Sequence, residues 1–306
     1  MSFENLPGKV VLCEVGPRDG LQNEQAILSV EQKIDLIEGI VEAGARSVEV
    51  GSFVHPKAVP LMADTDEVVR RLKKREGVDY RALALNMKGV ERAQAAGLRK
   101  IKLTVSASPT HSRQNSNAAP EDIIKSFEQC ADFCGKNDME LTGAIATAFG
   151  YHTEGVIPLE QVEKVVQAYL AIGVKELSMS DTTVMAHPKQ VYESMKELKN
   201  RYPEVLWTLH LHDTRGMALA NILAGMMAGV THFDSSFAGL GGCPFAPGAS
   251  GNVATEDVVN MLHSIGVETG YDLKKTLVVA RKAEEFVGHQ CDSSMLRLGD
   301  NLQITN

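Results

Sequence analysis

No stretch of the chain is apolar for long enough to cross a bilayer. The longest, Ala218 to Val230 (ALANILAGMMAGV), runs 13 residues around a central Asn, where a spanning helix needs ~20. No membrane helix is expected. An excess of basic residues is also missing: 31 Lys and Arg face 39 Asp and Glu, for a formal charge of −8. Phosphate backbones are bound by clustered cations, so nucleic acid is not an expected partner. The five cysteines, Cys13, Cys130, Cys134, Cys243 and Cys291, form an odd set with no paired Cys-x-x-Cys, which favours neither a disulfide framework nor a zinc–thiolate site. The opening MSFENLPGKV lacks the charged-then-apolar layout of a secretory signal and the Arg-rich amphipathic character of a transit peptide, so the cytoplasm is the expected address. Linkers rich in Pro or Ser and internal repeats are absent as well, which leaves one domain as the simplest organisation.

What is present is an ordinary globular composition, 44% apolar and 23% charged with 26 Gly and 11 Pro, on a chain long enough to bury a large core. Short β-rich runs alternate with longer segments of helical period, the pattern of a parallel sheet with crossover helices. The runs are Val10 to Val15, Ser47 to Val50, Arg81 to Leu85, Lys100 to Val105, Leu141 to Ala146, Glu176 to Met179, Trp207 to Leu211 and His232 to Ser235. Helices are predicted over 30–43, 63–75, 88–96, 120–137, 158–172, 188–201, 216–228 and 254–265, several closing on a glycine (Gly44, Gly97, Gly173, Gly229, Gly266) that can turn left-handed. Eight such units close most economically into an α/β fold, a (β/α)8 TIM barrel over 8–270. An open doubly wound sheet would leave two edges, and no Gly-x-Gly-x-x-Gly follows the first strand. The remainder, 271–306, reads as a C-terminal helical extension packed outside the barrel, with an amphipathic helix near Leu273 to Val287 and a weakly patterned, mobile last dozen residues.

In such a barrel the polar residues at the C-terminal strand ends meet although they are far apart in sequence. Strand 1 leads into Gly16-Pro17-Arg18-Asp19-Gly20, strand 2 holds Glu49, strand 6 runs into Asp181-Thr182, and strand 7 carries His210 and His212. Residues two apart on a strand share a side, so His210 and His212 either point together into the mouth as metal ligands or serve as structural histidines. Asp19 and the amide oxygen of Asn252 can complete a mixed nitrogen and oxygen set that suits Mg²⁺ or Mn²⁺. Arg18 is either a surface residue before an Asp-Gly turn or a guanidinium that stabilises an enolate oxygen during carbon–carbon cleavage. Glu49, costly to bury unpaired, is either salt-bridged, with Arg18 a candidate partner, or functional. Asp181 reads as a loop acid or a site residue. The loop GLGGCPFAPGASGN (239–252) holds five glycines, enough for a lid, and within it Cys243 is either an inert thiol or a proton donor to a carbanion. Lys102, in strand 4, opens a different reading as the lysine of a Schiff-base aldolase.

The segments GPRDGLQNE (16–24), SFVHPKAVPLMAD (52–64), HLHDTRGMALAN (210–221) and GLGGCPFAPGASGNVATEDVV (239–259) together resemble the 3-hydroxy-3-methylglutaryl-CoA lyase family, within the metal-dependent barrel superfamily that also holds isopropylmalate and homocitrate synthases. The synthases share the first motif and the His-x-His but have a different glycine loop. The resemblance implies a divalent ion held by Asp19, His210, His212 and Asn252, with His210 also counted among the catalytic residues. It implies Arg18 at the enolate, Glu49 and Asp181 as acidic site residues, Cys243 as the lid thiol, and Gln22, Asn86, Ser178 and Thr182 lining the acyl site. The implied reaction is a retro-Claisen cleavage: the 3-hydroxyl of a 3-hydroxyacyl-CoA loses its proton, the C2–C3 bond breaks, and the acetyl-CoA enolate is protonated. From the family substrate the products are acetyl-CoA and acetoacetate. The family is usually dimeric, so a homodimer is expected. Gln25 stands where many members have Lys, and Arg113 is the alternative cation for the CoA phosphates. The family's Cys-Pro-Tyr-Glu-Gly after strand 5 appears here as Phe149-Gly150-Tyr151-His152-Thr153-Glu154-Gly155, and its Gly-Asp-Thr-Ile-Gly after strand 6 as Ser180-Asp181-Thr182-Thr183-Val184. Both changes lie at the mouth, which keeps a citramalyl-CoA or methylmalyl-CoA type substrate as an alternative, with a condensing synthase as a further one.

Overall fold

The computed structural model describes residues 6–241 and 251–299. Its strands are β1 (Val11–Glu14), β2 (Ser47–Ser52), β3 (Asp79–Ala84), β4 (Lys100–Ser106), β5 (Glu140–Ala146), β6 (Glu176–Ser180), β7 (Leu206–His210) and β8 (His232–Ser235). All neighbours pair in parallel in chain order, and β8 returns to β1 with His232 beside Val11 and Ser235 beside Glu14, which closes the barrel. The expected fold class is therefore the observed one.

Parallel strands buried on both faces usually read as continuous apolar runs, yet these strands alternate. In β4, Ile101, Leu103 and Val105 enter the apolar layer under the helices, while Lys102 and Thr104 line the barrel mouth. Likewise Leu177 and Met179 alternate with Ser178 and Ser180 in β6, and Phe233 adjoins Asp234 in β8. The interior is thus tiered by charge. At the lower level Arg81 pairs with Asp79 and Glu176, and Lys100 lies 2.6 Å from Glu176. Above it Lys102 sits between Glu49 and Asp234. The hydrophobic core is the shell between strands and helices, which leaves the axis free for chemistry.

The helices are α1 (Val30–Glu42), α2 (Thr65–Arg71), α3 (Met87–Ala95), α4 (Pro109–Ser116), α5 (Pro120–Ser126), α6 (Glu128–Lys136), α7 (Leu159–Ala171), α8 (Pro188–Arg201), α9 (Ala218–Met227), α10 (Thr255–Ser264), α11 (Leu273–Val287) and α12 (Ser294–Leu298). Most begin at a side-chain cap or a proline. Ser29 and Gln32 form a reciprocal capping box on α1. The five closing glycines all have positive φ, and at Gly44 a Cβ would run into the carbonyl of Gly270. Three expectations are corrected. The helix expected over 120–137 is interrupted at Phe127 to give α5 and α6. The helix expected to reach 75 ends at Arg71, because Leu72 turns to extended backbone (ψ 128°). Helix α4 was not expected, although Ser108, which accepts the His111 amide, and Pro109 are a cap and a first-turn residue. The mobile tail is corrected in part: Asp257 of α10 accepts the amides of Ser294 and Met295 at 2.8 Å each, which fixes α12 against the barrel, and 300–306 lie outside the described residues.

Candidate metal centre and active site

After β1 the chain makes a single wide turn over Gly16–Gly20 in which the amides of Arg18, Asp19 and Gly20 all donate to the Val15 carbonyl. The turn is held from below. Glu14, fully buried, accepts the Gly16 amide at 2.7 Å and the Phe237 amide at 3.0 Å on one oxygen and the Thr255 hydroxyl at 2.8 Å on the other. One carboxyl therefore joins the first and last loops of the barrel, and burial pushes it up to about 8. A Cβ at Gly16 would come within 2.8 Å of both Glu14 and the Phe237 ring, so only glycine fits this approach.

That turn delivers Asp19 to the two histidines. His210 Nε2 and His212 Nε2 lie 3.2 Å apart, and Asp19 Oδ2 lies 3.7 and 3.9 Å from them. Asn252, brought alongside by a bridge to His212, donates its amide to Asp19 Oδ2 at 2.7 Å and to the Leu240 carbonyl, while its own Oδ1 is buried and has no hydrogen-bond partner. Cis donors around an octahedral ion with ~2.1 Å bonds stand about 3 Å apart, so the separations fit a small hard cation with slight closing-in. Charge agrees. Asp19, Glu49 and Asp234, all buried, outnumber Arg18 and Lys102 by one negative charge. Burial, reinforced by His210, lowers His212 to about 4, so its imidazole is neutral with a lone pair available. Burial alone would raise Asp19, but Arg18 and the histidines hold it well below the usual carboxylate range. The residues present fit a divalent ion.

The supporting groups are equally ordered. Arg18 pairs with both Glu49 and Asp19, so Glu49 has the salt-bridge partner expected of it beside the site. Asp234 Oδ2 lies 3.2 Å from His210 Nδ1, the outer contact that orients a ligating imidazole. Lys102 reaches the axis as the aldolase reading requires, but its ammonium is in ion pairs with Glu49 (2.8 Å) and Asp234 (3.3 Å). Burial would lower its pKa, yet Asp234 and Glu49 outweigh it and the net shift is upward. A protonated amine is no Schiff-base nucleophile.

Above these groups opens a cavity of about 250 Å³ lined by Gln22, Ser178 and Thr182 together with Arg18, Asp19, His210 and His212. Gln22 donates to Asp19 at 2.9 Å, Thr182 accepts the Thr147 amide, and the buried Ser178 hydroxyl has no partner. Asn86 does not line this cavity: its side chain caps α3 by accepting the Gly89 amide, and it borders a separate cleft with Phe53, His55 and Arg92. Arg113 stands exposed on α4 and does not line this cavity. Cys243 and most of the glycine-rich loop lie outside the described residues.

Asp181 turns away from the cavity. Its Oδ1 accepts the amides of Met185 and Ala186 at 2.8 and 3.1 Å, closing the loop after β6, and burial pushes its carboxyl up to about 6. Removing that acceptor leaves two amides short of a partner. Asp181→Ala is therefore expected to cost about 1–3 kcal/mol in denaturant unfolding, whereas Asp181→Asn, which retains Oδ1, should lose less than half as much. Equal losses would show that the loop clamp is not the source of the stabilisation. Asp234, Lys102 and Glu14 were not anticipated as supporting groups, although the argument made for Glu49, that a charge inside a β-run needs a partner, applies to each.

Comparison with known proteins agrees with this geometry. The family model described as HMGL-like matches residues 9–282. The hydroxymethylglutaryl-CoA lyase YngG of Bacillus subtilis is 40% identical over 292 residues, 95% of this chain and 98% of that protein. A crystal structure of the Bacillus subtilis HMG-CoA lyase superposes with a TM-score of 0.92 at 39% identity, covering 96% of this chain and 98% of its own. An HMG-CoA lyase from Acinetobacter baumannii, in complex with coenzyme A and 3-methylmalate, superposes with a TM-score of 0.91 at 37% identity over 100% of this chain and 99% of its own. With its barrel closed and its motifs gathered at one mouth, this chain belongs to the HMGL-like family.

Proposed function

We propose that the protein is a carbon–carbon lyase that cleaves 3-hydroxy-3-methylglutaryl-CoA to acetyl-CoA and acetoacetate. The observation that carries this reading is the convergence of Asp19, His210 and His212 on one point, with Asn252 hydrogen-bonded to Asp19, beside the Arg18–Glu49 pair. The names of the relatives support the acyl group, and the relative holding coenzyme A supports an acyl-CoA substrate. A divalent ion, Mg²⁺ or Mn²⁺, supplies Lewis acidity at the substrate's hydroxyl when bound. The remaining work falls to this chain. Asp19, His210, His212 and Asn252 hold the ion, and Asp234 fixes the ring of His210. Arg18, held by Glu49, presents its guanidinium to the cavity, where it stabilises the thioester enolate oxygen as C2–C3 cleavage builds charge there. The unpartnered Ser178 hydroxyl and the side chains of Gln22 and Thr182 offer polar contacts to the acyl group. Cys243 keeps the role the resemblance implies, protonating the acetyl-CoA carbanion from the lid. A homodimer completes the reading on the family resemblance.

Acetyl-CoA release from a panel of 3-hydroxyacyl-CoA esters tests it. The 3-hydroxy-3-methylglutaryl ester should be turned over fastest, activity should vanish with EDTA and return with Mg²⁺ or Mn²⁺, and borohydride should trap no adduct. Full activity in chelator would refute the metal-dependent mechanism. Faster release from the citramalyl or methylmalyl ester would move the substrate assignment without moving the metal.

A further inference from the structure

We infer that Lys102 is the positioning residue that locks the Arg18 half of the site to the His210 half. The inference rests on the lyase reading above and adds to it a residue that reading does not use. Strand register places Lys102 beside Leu83 of β3 and Thr142 of β5, above the lower charge tier and lining the floor of the mouth cavity. Its Nζ lies 2.8 Å from Glu49 Oε2 and 3.3 Å from Asp234 Oδ2. The other oxygen of Glu49 takes Arg18 Nε, and Asp234 Oδ2 also takes His210 Nδ1 at 3.2 Å. A single ammonium therefore stands between two carboxylates, each of which orients a different functional side chain. The continuous path Arg18–Glu49–Lys102–Asp234–His210 gathers side chains from the first loop and from β2, β4, β8 and β7, none adjacent in sequence.

The path needs its central cation. Glu49 and Asp234 are 0% and 2% exposed, so water does not screen their repulsion, and a buried carboxylate that loses its partner reorients or takes up compensation elsewhere. Without Lys102, Glu49 keeps one partner in Arg18, and Asp234 loses the group that holds it between β4 and β7. Arg18 and His210 would each retain their chemistry and lose their relative placement. An outer partner of a ligating histidine is worth about 10–100-fold in metal affinity or activity.

The test compares Lys102→Met and Lys102→Arg with the parent protein, in Mn²⁺ titration calorimetry without substrate and in steady-state kinetics with 3-hydroxy-3-methylglutaryl-CoA. Lys102→Met should weaken Mn²⁺ binding about 10–100-fold and lower kcat about 100-fold, with KM within ~3-fold. Lys102→Arg, which keeps a cation within reach of both carboxylates, should restore most of both. A folded Lys102→Met protein with Mn²⁺ affinity and kcat within ~3-fold of the parent overturns the inference, as does a change confined to KM, which would make Lys102 a substrate contact instead. If Lys102→Met fails to fold, Lys102→Gln, which keeps a donor without the charge, decides by the same criteria. The parent protein separates the two levels of failure. A parent that neither binds Mn²⁺ nor releases acetyl-CoA sinks the lyase reading, while a parent that does both beside an unaffected variant sinks only the role of Lys102.

Discussion

Arg18→Met is expected to lower kcat by about 10³-fold, at the upper end of what losing one donor to a developing oxyanion costs, while Mn²⁺ binds at least as tightly as before. The two effects separate because Arg18 is paired with, and competes for, a candidate ligand. Its guanidinium pairs with Asp19 and is the main attraction holding that carboxyl below its usual range. Removing it frees Asp19 for the ion. The cost to folding is distinct and falls on Glu49, which is fully buried and retains only Lys102; breaking a buried pair is worth roughly 3–5 kcal/mol. The double variant Arg18→Met with Glu49→Gln removes that unpaired charge, so it should regain stability without regaining turnover. An active, folded Arg18→Met enzyme would remove Arg18 from the enolate. A variant that loses Mn²⁺ binding together with activity would show that Arg18 assembles the metal site.

The barrel was legible because its strands carry a double signal. Short β-rich runs mark the strands, and the helical segments between them, several closed by a glycine, give their order. The cluster of Asp19, His210 and His212 was legible for the same geometric reason: His210 and His212, two apart, share a face, and Asp19 follows another strand end. Contacts made only by closure were not. Glu14 meets Thr255 across 241 positions and Lys102 meets Asp234 across 132, and nothing local encodes either pair. Where a local rule competed with a position that the family resemblance implied, the local rule accounts for the contacts observed. Asn86 precedes a helix and caps it, as an Asn in that place commonly does, in place of lining the acyl site. Asp181 shows the same competition, with the loop amides of Met185 and Ala186 taking its carboxylate oxygen. In both cases a short polar side chain was placed by its nearest backbone donors, which the sequence did present.

His212→Ala is expected to weaken Mn²⁺ binding by about 100-fold or more, beyond the ~10–100-fold that outer partners are worth, and to take turnover down with it. Asn252→Ala should cost less, about 10-fold, because a neutral amide oxygen gives less to a hard cation than the charged Asp19 does. The contrast with Arg18→Met is what gives the pair of variants force: one spares the ion and loses the chemistry, the other loses the ion first. The acid side adds a second reading of His212. Burial and the neighbouring His210 lower it from 6.5 to about 4, so the unfolded chain takes up a proton there before the folded one does. Stability from this group is therefore complete above about pH 6.5 and falls as the pH drops toward 4. His212→Gln, which cannot titrate, should flatten that part of the metal-free protein's stability profile. A profile unchanged by the substitution, together with unaltered Mn²⁺ affinity, would mean that His212 is a core histidine and that the ion, if there is one, is held by other groups.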